Sequence, residues 1–265
     1  MKTIAFALLT GILSTAINSV AAENPGAQQK TSVNSDVLMQ LADTDWRIRD
    51  KAVASISSTT INGNTRSALI NLLDQENALR EKWYLEKAQG KNPESPAVKF
   101  GDGYGEYYGD LVMKVAALHT SQADGSLVGA LDTLGNKKII EIFGEDSVPA
   151  LAEKFKASKN SYLRSRIVET LGKLSADKIK AEKMRQKAKA VVFEAADDGD
   201  QNVRRSAIKS LHFFGTAEAV KKLQEISAKD AYSIVRKDDK QKVFPNREAA
   251  QKEIERLTKE TDGKQ

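Results

Sequence analysis

Apolar residues recur along the chain at spacings of three and four, in stretches a few helical turns long that are separated by short polar breaks. That is the period of a half-buried α-helix. It runs from SDVLMQLA (35–42) to FPNREAAQKEIERL (244–257) and predicts helices near 35–42, 46–57, 64–73, 77–89, 106–119, 126–134 and 136–143. Further helices are expected near 147–156, 161–174, 176–196, 201–213, 216–228 and 246–260. Two stretches interrupt this pattern. KNPESPAVKFGDGYGEYYGD (91–110) holds two of the five prolines and four of the sixteen glycines, and reads as an insertion over 91–108. In the second, over 230–245, two β-like runs, Tyr232–Val235 and Lys242–Phe244, flank a charged turn at Asp238-Asp239 and predict a small hairpin.

The first residues follow a different rule. After Met1-Lys2 comes the apolar run IAFALLTGIL (4–13) and then small residues ending at Ala22, the layout of a secretory signal with its cut after Ala22. Residues 23–34 read as a flexible linker, 35–260 as the folded body and 261–265 as a disordered tail. The apolar run is too short to span a bilayer, which takes roughly 20 residues, and the mature chain offers no transmembrane segment. The expected location is therefore outside the cytoplasm, in a bacterial periplasm or beyond. With no cysteine in the sequence, lipoprotein anchoring, disulfides, thiolate nucleophiles and cysteine-bound metals are all excluded.

Within the body the pattern repeats. LADTDWRIRDKAVASI (41–56) places Asp45, Ile48-Arg49 and Ala52 in the register in which AADDGDQNVRRSAIKSL (195–211) places Asp200, Val203-Arg204 and Ala207. Weaker copies align Glu76, Leu79-Arg80 and Trp83; Asn160, Leu163-Arg164 and Ile167; and Arg247 with Ala250. In each, the polar residue is suited to cap a helix, where the first backbone N–H groups lack partners. The aliphatic residue and the one four later are expected to face the core. The arginine emerges near the first turn, placed to bond the inter-helix turn or an acid of a neighbouring repeat. Asp45, Arg49, Arg80, Arg164, Asp200, Arg204 and Arg247 are therefore the candidate stabilising residues.

The D-x-D-x-x-I-R-x-x-A (43–52) and D-x-D-x-x-V-R-x-x-A (198–207) copies resemble the HEAT-repeat family, in the short units also found in phycobilisome lyases. The resemblance covers most of 35–260 and implies an all-α α-solenoid of stacked antiparallel helix pairs, used for binding. It carries no lyase chemistry, because no bilin-attaching residue set can be matched. The arginines lie 31, 84, 40 and 43 residues apart, so the 84-residue gap must hold additional helices and an irregular segment.

Charge adds little. Lys and Arg exceed Asp and Glu by five, and by one fewer without Lys2, a mild excess that does not point to nucleic acid. The sharpest basic run, KLSADKIKAEKMRQKAKA (173–190), reads as a solvated helix face. No catalytic or metal constellation is present. The two histidines, His119 and His212, end predicted helices without a second ligand at metal spacing, and no cofactor is implied. GDGYGEYYGD (101–110) fails the calcium-loop, dinucleotide-loop and P-loop patterns, so its glycines are assigned to turns and Glu106 to a helix start. Tyr108 is expected in the core, whereas Tyr104 and Tyr107, with Trp83, form a candidate exposed aromatic cluster for a partner. The expected function is a non-enzymatic protein-interaction or scaffold module of the cell envelope. The alternative is a carbohydrate-binding or enzyme-accessory module using that cluster.

Overall fold

The computed structural model describes residues 35–57 and 61–262. The expected signal (1–22) and linker (23–34) lie outside the described residues, as do 263–265. Thirteen α-helices are described: α1 (35–41), α2 (Trp46–Ser55), α3 (Gly63–Ala88), α4 (Pro96–Phe100), α5 (Tyr104–Ala116), α6 (Ser121–Gly129) and α7 (Asn136–Ile142). The rest are α8 (Val148–Ala157), α9 (Ser161–Asp177), α10 (Glu182–Ala195), α11 (Gln201–Leu211), α12 (Ala217–Lys229) and α13 (Pro245–Asp262). Between the last two, β1 (Ile234–Val235) and β2 (Lys242–Val243) pair antiparallel, with Ile234 opposite Val243. Among the described residues no helix is long and apolar enough to cross a membrane.

Pairs α8–α9 and α10–α11 are joined by short turns and α12–α13 by the hairpin-bearing segment 230–244; the members of each pair pack together, and the second members α9, α11 and α13 lie side by side as one layer. The helix α11 shows why. Asp200 caps it, its carboxylate accepting from Asn202 N at 2.8 Å and Val203 N at 3.4 Å. Val203, Ala207, Ile208 and Leu211 then form a buried stripe at helical spacing. Val203, Ile208 and Leu211 contribute roughly 1.5–3 kcal/mol each when fully buried. Small residues let the layer close up: a Cβ on Gly172 of α9 would come within 2.7 Å of Ser210 of α11.

The N-terminal half departs from simple pairing, with α2 against α5, α3 against both α5 and α6, and α6 handing on to α8. Here the structure corrects the sequence reading. The two helices expected at 64–73 and 77–89 are one continuous helix, α3, because Leu73-Asp74-Gln75-Glu76-Asn77 offers neither glycine nor proline and Asn62 supplies the cap, accepting from Thr65 N at 2.9 Å. The aliphatic residue of the repeat is buried at Leu163 and Val203, but Ile48 and Leu79 are 37% and 41% exposed. Ile48 sits in the first helix pair described, and Leu79 lies on a side of α3 that no described helix covers. The insertion 91–108 contains α4, and its final residues are already the first turn of α5. The helix expected at 126–134 instead spans Ser121–Gly129, and α13 runs two residues into the expected tail.

Candidate functional site

Arg80, in the middle of α3, reaches Asp132, so it does not join the pattern, whereas three of the repeat arginines, Arg49, Arg164 and Arg204, share one geometry. Each turns its Nη1 back on the carbonyls of the turn preceding its own helix: Arg49 on Asp43 O (2.7 Å) and Thr44 O (3.0 Å), Arg164 on Ser158 O (3.1 Å), and Arg204 on Asp198 O (2.9 Å) and Gly199 O (3.1 Å). The remaining nitrogens reach a carboxylate further along the chain. Arg164 grips Asp198 with Nε and Nη2, both at 2.9 Å, and Arg204 grips Asp230 at 2.6 and 3.4 Å. Arg247 closes the series by donating Nε to Asp230 O at 2.7 Å. Arg164 and Arg204 thus each clamp their unit to the next by a two-pronged, charge-assisted contact. The acids that receive these forks, Asp198 and Asp230, stand two residues before a backbone N–H that they also accept, Asp200 N at 2.8 Å and Tyr232 N at 2.9 Å. In Asp198 this is the first acid of the D-x-D motif; the second, Asp200, is the cap. The matching pair, Asp43 and Asp45, has Asp45 accepting from Arg47 N at 2.9 Å. Burial alone would raise the Asp230 carboxyl, but the Arg204 bond with Tyr232 N and Asn246 leaves it below the usual carboxylate range.

At the N-terminal end the acid comes from an unexpected place. Glu76, aligned by sequence with the caps, lies in mid-helix with its side chain 2% exposed and accepts from Arg49 Nη2 at 2.7 Å. Two phenols complete its shell: Tyr107 OH donates at 3.0 Å and Tyr104 OH makes a short bond to the other oxygen. Arg49 Nε in turn donates to Tyr107 OH at 3.0 Å. One residue on, Asn77 accepts from Tyr108 OH at 2.5 Å and donates to Ser126 O at 2.7 Å, bolting α3 to both α5 and α6. Burial, and then the Glu76 charge, push the Tyr104 and Tyr107 phenols far above their ordinary range.

This overturns the exposed reading of Tyr104 and Tyr107, which are both 1% exposed. The glycines explain the placement: Gly101 (φ 83°) and Gly103 (φ 88°) take the left-handed turn that starts α5 against Trp46, so that consecutive turns of the helix deliver Tyr104, Tyr107 and Tyr108 onto α3. Trp46 lies edge-on to Tyr104 at 6.0 Å and donates Nε1 to Phe100 O at 3.1 Å. Glu106 stays exposed in the first turn. With both tyrosines sealed, the carbohydrate-binding alternative loses two of its three rings.

Trp83 is elsewhere. It is half-buried at the end of α3, donates Nε1 to Pro93 O at 3.0 Å, and packs on Tyr84 with ring centres 4.7 Å apart. Tyr84 stacks at 5.9 Å on Tyr162 of α9, which is 48% exposed. Leu79, one turn before Trp83, adds to the patch. Sequence reasoning missed Tyr162 and the outward Leu79, because residues of α3 and α9 meet only through the stacking of distant units. Beneath them, Asp132 accepts from Arg80 Nη2 at 2.5 Å and Tyr84 OH at 3.0 Å, and the Tyr84 phenol is pushed up to about 12 by burial and by that neighbouring carboxylate.

In the basic run over 173–190 three of the seven cations are tied down: Lys178 bonds Ile140 O, Arg185 bonds Ser175 O at 2.9 Å, and Lys189 pairs with Glu218, while Lys180, Lys183 and Lys187 are exposed. His212 is buried, with Glu253 at 3.6 Å and Glu260 at 3.4 Å; His119 follows α5 with φ 46°. Among the described residues no group of three or more metal-ligating side chains gathers. The charged groups at the centre of the molecule join helices.

Compared with known proteins, residues 148–238 match the family model of HEAT repeats. No curated protein matches the chain. HEAT repeats generally mediate protein–protein interaction and are typically non-catalytic. The match covers α8 to β1, the part of the chain in which the arginine forks and the layer of second helices are most regular. Residues 148–238 are thus similar to HEAT repeats, and the described residues fold as an all-α, HEAT-like solenoid.

Proposed function

We propose that this protein is an exported, non-enzymatic scaffold that binds a protein partner on the surface of its helix array. The observation that carries the reading is the division of labour among its side chains. The repeat arginines, the acids they grip and three phenols are occupied in joining helices, which leaves a rigid stack. The aromatic patch of Leu79, Trp83, Tyr84 and Tyr162 stays at the surface, and aromatic residues of this kind dominate binding hot spots. Export rests on the apolar run and small-residue end of 1–22.

Affinity capture from an envelope fraction on the immobilised mature chain tests the reading. A defined protein is expected to be enriched and then lost from the Leu79→Ser/Tyr162→Ser variant, whose exposed positions leave the core intact. Enrichment of no protein over bare resin refutes it. For export, mass spectrometry of the purified protein is expected to find Glu23 at the N-terminus.

A further inference from the structure

The outward strips of α9 and α11 form a second, cationic surface. Glu169 and Ser206 mark the seam between the two helices, with Ser206 Oγ donating to Glu169 Oε1 at 3.0 Å. Along α9, Tyr162, Arg166, Glu169 and Lys173 follow one another at spacings of four, three and four, so they share a face. On α11 Arg205 and Lys209 are exposed four residues apart. Four cations therefore border one acid, and that acid is saturated: its second oxygen takes Arg166 Nη1 at 2.9 Å.

Lys173, Arg205 and Lys209 have no ion-pair partner among the described residues. The opposite, α10–α12 side is arranged otherwise, with Lys189 paired to Glu218 and Lys222 held by Asp197 at 2.7 Å. The Lys173 ammonium is pushed down by burial; Glu169 draws it the other way, and Arg166 and Lys209 lie close enough to repel it. Cations that outnumber the one acid among them, itself already bonded, favour an anionic occupant.

We propose that the α9–α11 face docks an acidic, extended segment of a protein partner, with its carboxylates over Lys173, Arg205 and Lys209 and an apolar residue on Tyr162. This rests on the scaffold reading given above and adds the partner's chemistry. The dimensions suit it: eleven residues of helix from Tyr162 to Lys173 span about 16 Å, the reach of roughly five extended residues. A peptide backbone supplies such a row of carboxylates together with the apolar group that the exposed ring of Tyr162 calls for. The surface has too few cations to follow the phosphates of a nucleic acid over several turns.

The probe is a fluorescein-labelled peptide of one phenylalanine followed by six glutamates, titrated with the mature chain and read by anisotropy at low and at physiological salt. Binding is expected to weaken with salt and to fall roughly tenfold or more in the Lys173→Glu/Lys209→Glu variant. The control Lys183→Glu/Lys187→Glu, exposed on α10, should leave it unchanged. Lys173→Met should weaken binding while leaving the melting temperature within about 1–2 °C of wild type, because it keeps the apolar stem and removes an ammonium with no ion-pair partner. A purely structural lysine would lower the melting temperature instead. Equal peptide affinity in the Lys173→Glu/Lys209→Glu variant overturns the proposal. So does tighter binding of a single-stranded oligonucleotide or of phosphatidylglycerol vesicles than of the peptide, lost in that same variant. In the capture experiment, a protein held equally by wild type and this variant leaves the scaffold reading standing and refutes the acidic face. Peptide binding that follows the expected pattern while no protein is captured supports the face and counts against the scaffold reading.

Discussion

Replacing Glu76 by alanine tests whether the buried carboxylate joins α2, α3 and α5 as its contacts indicate. Its side chain is 2% exposed, and that of Arg49, 2.7 Å away, is 12% exposed. Removing one partner of such a pair leaves an uncompensated charge, at a cost of about 3–5 kcal/mol. Tyr104 and Tyr107 would also lose the acceptor of their hydroxyls, worth about 1–3 kcal/mol for each buried group left unpaired. These contributions share one site and do not add in full. The expected loss is therefore about 4–5 kcal/mol, or roughly 8–20 °C in melting temperature for a domain of this size. Urea unfolding followed by far-ultraviolet circular dichroism measures it directly, with the slope reporting whether the transition stays two-state. The double variant Arg49→Met/Glu76→Met removes both charges and should lose less than the sum of the two single methionine variants, by at least about 2 kcal/mol. A loss below about 1 kcal/mol for Glu76→Ala, or strict additivity in the cycle, would falsify the assignment of Glu76 as the charge centre of this half of the molecule.

Three further outcomes are expected. Tyr84, Tyr104, Tyr107 and Tyr108 all have phenols raised by burial, so above pH 10 the unfolded chain releases protons that the folded one keeps. Stability should then fall from pH 10 upward, through about 12 for Tyr84, and absorbance at 295 nm should show these four phenols ionising together with unfolding. At the acid end, Asp230 is held below its ordinary range, so its contribution is present above about pH 4 and is lost as pH falls through its folded value. Asp230→Asn should lower stability at pH 7 by about 2–4 kcal/mol and flatten the decline of stability below pH 4, as read in urea melts across pH. Gly172→Ala places a Cβ 2.7 Å from Ser210 and should destabilise by about 1–3 kcal/mol, with Ser210→Gly restoring most of the loss in thermal melts.

The repeat was legible wherever local chemistry and tertiary role coincide. Asp45, Asn160 and Asp200 each sit before a helix and accept from its first N–H groups, a relation within three residues that composition and spacing reveal. The arginine was legible in half of its role: its turn carbonyls lie five and six residues back in the sequence, but the acid in its fork lies 26 to 34 residues on, at Asp198 and Asp230. Glu76 was misread because in a continuous helix no local signal separates a buried carboxylate from a capping one. What separates them is the arrival of Arg49, Tyr104 and Tyr107 from two other helices.

The amino-acid sequence by itself determined the helical periodicity, the capped starts, the register of the arginines and the turn at Gly101–Gly103, since each depends on contacts within one or two turns of chain. Tertiary structure alone decided which faces are covered. It sealed Tyr104 and Tyr107, which periodicity left at the surface, and it turned Leu79 outward beside Trp83. It brought Tyr84 to Tyr162 across 78 residues and left Lys173, Arg205 and Lys209 on one face without ion-pair partners among the described residues. The physical reason is that burial and electrostatic environment depend on which neighbour stacks on a helix, and in a solenoid that neighbour comes from another unit of the chain.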